Sequence, residues 1–270
     1  SSDDRMPPEG PALDSGEIDL LLRWIDSGAE WPETDYDREA LKDPRRDHWS
    51  FQPVKSVEAP DTTAVESEFG VKCGNEIDRF VLSKLHESGL RPSIAADRRT
   101  LIRRATLDLT GLPADPDRIQ RFVRDGRDTN TVWAELIDEL LASPRYGERW
   151  AQHWLDVIRY ADTHGFEVNT PRDNAWPYRD YVIQALNDDK PYDQFVREQL
   201  AGDLFNADAA TGFMVASAVL LPGQIGADEE SKRLARQDAL DEIIVGTSNT
   251  LLGLTIGCAR CHDHKFDPIT

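Results

Sequence analysis

The chain has 270 residues, 39% of them hydrophobic and 30% charged, with seven Trp; a disordered chain lacks that aromatic supply, and the length suffices to bury a core. Lys and Arg total 31 against 50 Asp and Glu, a net charge of −19, which repels phosphate backbones and anionic lipid and argues against nucleic-acid binding and membrane-surface docking. Three cysteines, Cys73, Cys258 and Cys261, are too few for a disulfide scaffold, and no apolar run of about 18 residues is present to span a bilayer.

The first residues, Ser1 to Pro8, lack the basic and apolar regions of a signal peptide, so either a signal has been removed or the chain is a slice of a longer protein. Asp14 and Glu17 form a capping-box pattern ahead of Ile18, Leu21, Leu22 and Ile25, which predicts an amphipathic helix over 14–27. The Pro- and acid-rich stretch 33–74 reads as linker and extended segment. From 75 onward the pattern is repeatedly helical. Ile77, Phe80, Val81 and Leu85 form an apolar stripe closed by Gly89, and Asp97 caps a helix through Leu101, Ile102 and Ala105. Asp115-Pro116 and Ser143-Pro144 open helices over 116–125 and 144–162, with another over 130–142. Trp150, Trp154, Val157, Ile158 and Ala161 read as a core stripe. Further helices are predicted over 174–188, 191–203 and 229–253, whereas 212–221 fits strand or helix. With no useful alternating run, the class is mainly α, an irregular multi-helix domain. The cations Arg98, Arg99, Arg103 and Arg104 read as a solvated or salt-bridged face rather than an anion site.

Cys258-Ala259-Arg260-Cys261-His262 is C-x-x-C-H, the attachment signature of a c-type haem. Two thiols add to the haem vinyl groups and the adjoining imidazole becomes the proximal iron ligand. A zinc site using Cys258, Cys261 and His262 or His264 is the competing reading, but a second C-x-x-C or spaced histidine pair is missing. A dithiol redox pair would want a thioredoxin-like context. Candidates for the second axial ligand are His164, His153, Met214 and His264. Of these His164, which follows the Trp-rich helix next to a glycine, is preferred, and His264 sits too close to His262 to reach the opposite face.

The run from His48 to Thr270 resembles the planctomycete cytochrome C type 2 family, also labelled DUF1549. The resemblance rests on His48-Trp49-Ser50-Phe51-Gln52-Pro53-Val54, Leu107-Asp108-Leu109-Thr110-Gly111-Leu112-Pro113, Tyr146-Gly147-Glu148-Arg149-Trp150, Arg159-Tyr160-Ala161-Asp162, Glu198-Gln199-Leu200-Ala201-Gly202-Asp203 and Cys258 through Pro268. Residues 1–32 resemble the end of the type 1 planctomycete cytochrome C domain, so the division is 1–32, 33–74 and 75–270. Met6 stands where that domain has an axial methionine, for a haem whose C-x-x-C-H lies upstream of this chain. The resemblance implies a covalent haem c at Cys258 and Cys261 with His262 on the iron, electron transfer in a periplasmic or otherwise extracytoplasmic compartment, and a downstream DUF1553-type domain in the parent chain.

The primary expectation is therefore a c-type cytochrome domain that exchanges electrons with a redox partner, which the acidity suggests is basic. One alternative is a haem-dependent enzyme with Asp162, His164 and Glu167 around an open iron. Another is a carbohydrate-associated binding module with Trp176, Tyr178 and Tyr181 as stacking residues, against which core packing is the plainer reading of those aromatics. Cys73 has no assigned role.

Overall fold

A computed structural model describes residues 13–27, 43–165, 169–218 and 228–269. It is mainly helical; among the described residues no strand forms, and one isolated antiparallel bridge joins Thr163 to Pro171. The chain divides into two compact units, Ser1–Val54 and Lys55–Thr270.

In the first unit, helix α1 spans Ser15–Asp26 and begins as its pattern predicts. The Asp14 carboxylate accepts from the backbone N–H groups of Gly16 and Glu17, and the Glu17 carboxylate accepts from the Asp14 N–H at 2.9 Å. Each orphan donor of the first turn so satisfied removes a cost of about 1 kcal/mol. Short 3₁₀ turns follow at Pro44–Asp47 and Trp49–Phe51.

The second unit opens with α2, Thr63–Phe69, inside the stretch read as extended. Asp61 caps it through the Thr63 N–H and hydroxyl, and Gly70 closes it in the left-handed region at φ 66°. Helix α3, Glu76–Glu87, departs from its predicted stripe: Leu82 is buried, whereas Ile77, Phe80 and Val81 are exposed. The contact with α2 explains the difference, because Phe69 meets His86, one turn from Leu82, so that side is the covered one.

Helices α4 (Arg98–Thr110), α5 (Pro116–Arg124) and α6 (Thr129–Leu141) enclose one apolar cluster of Ile102, Ala105, Phe122, Val132, Leu136 and Leu140. Arg98 is neither a solvated cation nor a salt bridge here. Its guanidinium donates to the backbone carbonyls of Phe122, Asp125 and Arg127 and to the Thr129 hydroxyl, which ties α4 to the end of α5.

The larger cluster lies between α7 (Pro144–Val157), α8 (Trp176–Asn187), α9 (Tyr192–Ala201) and the 3₁₀ segment Asp208–Val215. Here the predicted stripe is rotated: Ala151 and Ile158 are buried and Trp154 packs against the cluster, but Trp150 and Val157 are exposed. The buried line runs Gly147, Ala151, Trp154, Ile158 because α8 approaches closely enough that only glycine and alanine fit the first two places. A Cβ on Gly147 would stand 2.5 Å from the Ile183 carbonyl oxygen and 2.6 Å from Asn187. Asn187 closes the same junction, accepting from the Gly147 N–H at 2.8 Å and donating to the Pro144 carbonyl. The helix also ends earlier than predicted, since Arg159 takes a left-handed backbone at φ 59°. The apolar stretch 212–221 is 3₁₀ up to Val215, and its last residues lie outside the described ones.

The core carries polar groups that are satisfied across helices. The Tyr178 hydroxyl donates to Gln199 Oε1 at 2.6 Å, the Trp154 indole N–H donates to both, and Glu198 receives Tyr181, Gln194 and the Lys190 ammonium. Burial pushes the Glu198 carboxyl up, but Lys190, Gln194 and Tyr181 together outweigh it and hold the group below the usual carboxylate range.

The close α7–α8 approach sets a direct expectation. Gly147→Ala should lower stability by about 1–3 kcal/mol or more, whereas Gly126→Ala, where nothing lies within 4 Å, should be near neutral. Urea midpoints of the two variants measure the difference, and equal midpoints would mean that the helices are not in contact there.

Candidate functional site

The cysteine-histidine turn is delivered by helix α10, Glu229–Thr247, whose start is capped by Asp228. A single π turn, Ser248–Leu252, follows and is stopped by Gly253 in the left-handed region at φ 65°. The chain then folds back along α10 as a 3₁₀ turn, Ile256–Arg260. Gly257 allows this approach, since a Cβ there would sit 3.1 Å from Val245 Cγ2. Arg260, between the two cysteines, reaches Asp241 at 2.6 Å and Asp238 at 3.4 Å. These carboxylates are three residues apart on α10 and share a face. Beneath the turn lies a cleft of about 260 Å³ with Ile244, Val245, Ile256 and Ile269 among its walls.

Cys258 and Cys261 are exposed free thiols. His262 is exposed too, and its Nδ1 lies 2.8 Å from the Asp263 carbonyl oxygen. A carbonyl can only accept, so Nδ1 carries the proton and Nε2 holds the lone pair. This is the arrangement in which a second bond fixes the tautomer of a metal-ligating imidazole.

His264 has the opposite arrangement. Its Nδ1 accepts the backbone N–H groups of Phe266 and Asp267, and its Nε2 donates to Thr255 Oγ1 at 2.9 Å. The Thr255 hydroxyl in turn donates to Asp267 Oδ2 at 2.8 Å, and the Thr255 N–H reaches the same oxygen. His264 is buried, and both of its nitrogens are engaged in closing the loop from 255 to 269. Among the described residues, no three His, Cys, Asp or Glu side chains cluster as a metal cage.

The other sequence candidates are dispersed. His164 lines a cleft of about 510 Å³ with Tyr160, Arg172, Tyr178 and Val215, and no residue of the Cys258–His262 turn is among its described walls. Its Nδ1 accepts from Arg172 Nε at 3.1 Å, so Nε2 carries the proton. Offering a lone pair at Nε2 would require moving that proton and breaking the Arg172 bond. Burial and the Arg172 cation both pull the His164 pKa down, which keeps the ring neutral. Asp162 accepts the Tyr160 hydroxyl at 2.8 Å, and Tyr160 itself is pushed up to about 12 by burial and by that carboxylate.

His153 is exposed on α7 with its ring edge against Trp150, and Met214 packs against the larger core cluster. Met6 and Glu167 lie outside the described residues. Of the proposed stacking aromatics, Tyr178 belongs to the core and Tyr181 packs against it, whereas Trp176 is exposed. Cys73 is half-buried, 3.7 Å from the Thr62 hydroxyl, with its N–H bonded to Glu66.

Sequence reasoning passed over Arg260, Thr255, Asp267 and Arg172. The first had a local signal, an arginine in the motif facing two carboxylates at helical spacing. Arg172 had none, because its partners Ala216 and Ser217 are more than 40 residues away.

The Thr255 bridge is testable. Thr255→Val removes the hydroxyl that His264 and Asp267 share, leaving a buried donor unmatched at a cost of about 1–3 kcal/mol. Hydrogen exchange of the Phe266 and Asp267 amides is expected to accelerate while exchange in α6 stays unchanged; unchanged exchange throughout would mean that the bridge does not hold the loop.

No curated protein and no solved structure matches the chain. A family model, PSCyt2, described as "Protein of unknown function (DUF1549)", matches residues 76–270, which takes in α3 through the cysteine-histidine turn. The chain belongs to the PSCyt2 (DUF1549) family.

Proposed function

We propose that the Lys55–Thr270 unit is a c-type cytochrome module that holds one covalent haem on its C-terminal turn and passes electrons to and from a partner protein. The observation that carries this reading is the state of the turn: two exposed thiols at C-x-x-C spacing, followed by an imidazole whose Nδ1–H is committed to the Asp263 carbonyl, so that its lone pair is on Nε2, which no described residue engages. The donor set fits haem c: Cys258 and Cys261 for thioether bonds, His262 for the proximal position. A haem so held supplies one-electron redox chemistry at the iron.

This chain's own residues contribute position and environment. The Asp263 carbonyl holds the His262 tautomer and the orientation of its ring. Arg260, paired with Asp238 and Asp241, binds the turn to α10. Ile244, Val245, Ile256 and Ile269 give the turn an apolar underside that limits water. Because c-type haem is attached outside the cytoplasmic membrane, the reading carries an extracytoplasmic location with it. The net charge of −19 favours a basic redox partner.

Co-expression with haem-attachment machinery tests the proposal. The purified protein is expected to keep its haem through denaturation and acidic solvent extraction, and the double variant Cys258→Ala, Cys261→Ala should keep none. His262→Ala should retain covalent haem with an altered visible spectrum. Purification with zinc and no covalent haem would overturn the reading.

A further inference from the structure

The larger core holds a line of rings that can each give up one electron. The indole N–H of Trp154 lies 3.0 Å from the Tyr178 hydroxyl. Tyr178 has two tyrosine neighbours, Tyr160 with ring centroids 6.3 Å apart and Tyr181 at 6.4 Å. Indoles and phenols are readily oxidised by one electron, and rings this close pass it between them. Tyr178 is buried, whereas Tyr160 is half-buried and lines the wall of the 510 Å³ cleft.

The three hydroxyls differ in what they face. Burial, the largest cause for each, pushes all three up, so each is a neutral phenol near neutral pH. A phenol that loses an electron becomes a strong acid, and its radical persists only where a base within hydrogen-bond reach takes the proton. Tyr178 donates to Gln199 Oε1, an amide oxygen and a very weak base. Tyr181 donates to Glu198, a carboxyl that Lys190, Gln194 and Tyr181 hold below the usual range despite burial. The Lys190 ammonium also stands 4.8 Å over the Tyr181 ring, where a cation opposes loss of an electron. Tyr160 donates at 2.8 Å to Asp162, an exposed carboxylate, while Arg179 and Asp180 act on its hydroxyl with opposite signs. The Tyr178 and Tyr181 hydroxyls bond across helices, but the Tyr160 to Asp162 bond stays within two residues and joins no second helix.

We propose that Trp154, Tyr178 and Tyr160 form a one-electron relay that ends at Tyr160, with Asp162 as the proton acceptor. An oxidant of the ferryl-haem class, or another one-electron oxidant of comparable potential, takes an electron from Trp154. Tyr160 refills it by way of Tyr178. The Tyr160 O–H bond breaks, the electron goes to the indole radical cation, and the proton goes to an Asp162 carboxylate oxygen. A neutral tyrosyl radical is left at the cleft wall, and the oxidant ends one electron richer. The relay does not depend on the haem reading, because any oxidant of sufficient potential starts it.

A ruthenium polypyridyl photo-oxidant attached at Tyr192→Cys tests the relay in the full chain with Cys73, Cys258 and Cys261 changed to Ala. Residue 192 lies one turn of α9 from Phe195, whose ring centroid is 4.9 Å from that of Trp154. After flash oxidation, electron paramagnetic resonance is expected to show a tyrosyl radical that is lost in Tyr160→Phe and retained in Tyr181→Phe. Tyr178→Phe should slow its formation. Asp162→Asn, a surface change that leaves the core intact, should lower its yield. A radical that settles on any other ring, a tyrosyl signal that survives Tyr160→Phe, or formation at an unchanged rate in Tyr178→Phe would overturn the proposal.

Discussion

Gln199 has no exposed surface, and its neighbour Glu198 is almost as deeply buried. Both sit on α9, and a buried amide and a buried carboxylate must find partners or forfeit about 1–3 kcal/mol or more each. Those partners come from elsewhere: Trp154 on α7, Tyr178 and Tyr181 on α8, and Lys190 in the loop ahead of α9. Apolar packing alone tolerates sliding and rotation, but these bonds close in one arrangement of the three helices. The rotated face of α7 follows from it, since Trp154 must turn inward to reach Gln199, and Trp150 and Val157 then turn outward. Gly147 against Ile183 is the steric counterpart of the same registration.

The segments that carry the two candidate sites are joined to that block by ion pairs and hydrogen bonds as well as by packing, with Ala216 in the larger cluster and Leu251 against it. Arg159, held in a left-handed backbone at the end of α7, reaches Glu242 on α10 at 2.7 Å, one residue from the Asp241 that receives Arg260. The strain at Arg159 thus sits where the larger core hands over to the helix carrying the cysteine-histidine turn. On the other side of the handover, Arg172, next to the Thr163–Pro171 bridge, donates to the Ala216 and Ser217 carbonyls. Helix α10 itself has one buried residue, Ala235, and Leu251 in the turn that follows it packs against the larger cluster. Both clefts lie beside a segment held this way.

Much of the helical order was legible in the sequence because its signals are local. Asp115-Pro116 and Ser143-Pro144 each supply a capping side chain and a preset φ, and the helices begin there. Asp14 with Glu17 forms the reciprocal cap that its spacing implies. Which face of a helix is covered depends on a neighbour that local periodicity does not contain. Ile77, Phe80 and Val81 were as plausible as Leu82 until α2 took the Leu82 side, and Trp150 was as plausible as Ala151 until Gly147 let α8 approach. The site divides in the same way. Cys258, Cys261 and His262 are contiguous and readable, and the capture of His264 by its own loop is a matter of a few residues. The use of Arg172 as a staple joins residues 44 and 45 positions apart, and nothing near it in the chain announces that.

Hydrogen bonds place the lone pair of His262 on Nε2 and hold His264 and His164 in the opposite tautomer. Nitrogen-15 NMR of the imidazole rings in the haem-free protein reads this directly. A protonated Nδ1 and unprotonated Nε2 are expected for His262, and the reverse for His264 and His164. A His262 ring protonated at Nε2, or exchanging freely between tautomers as an unrestrained imidazole does, would contradict it.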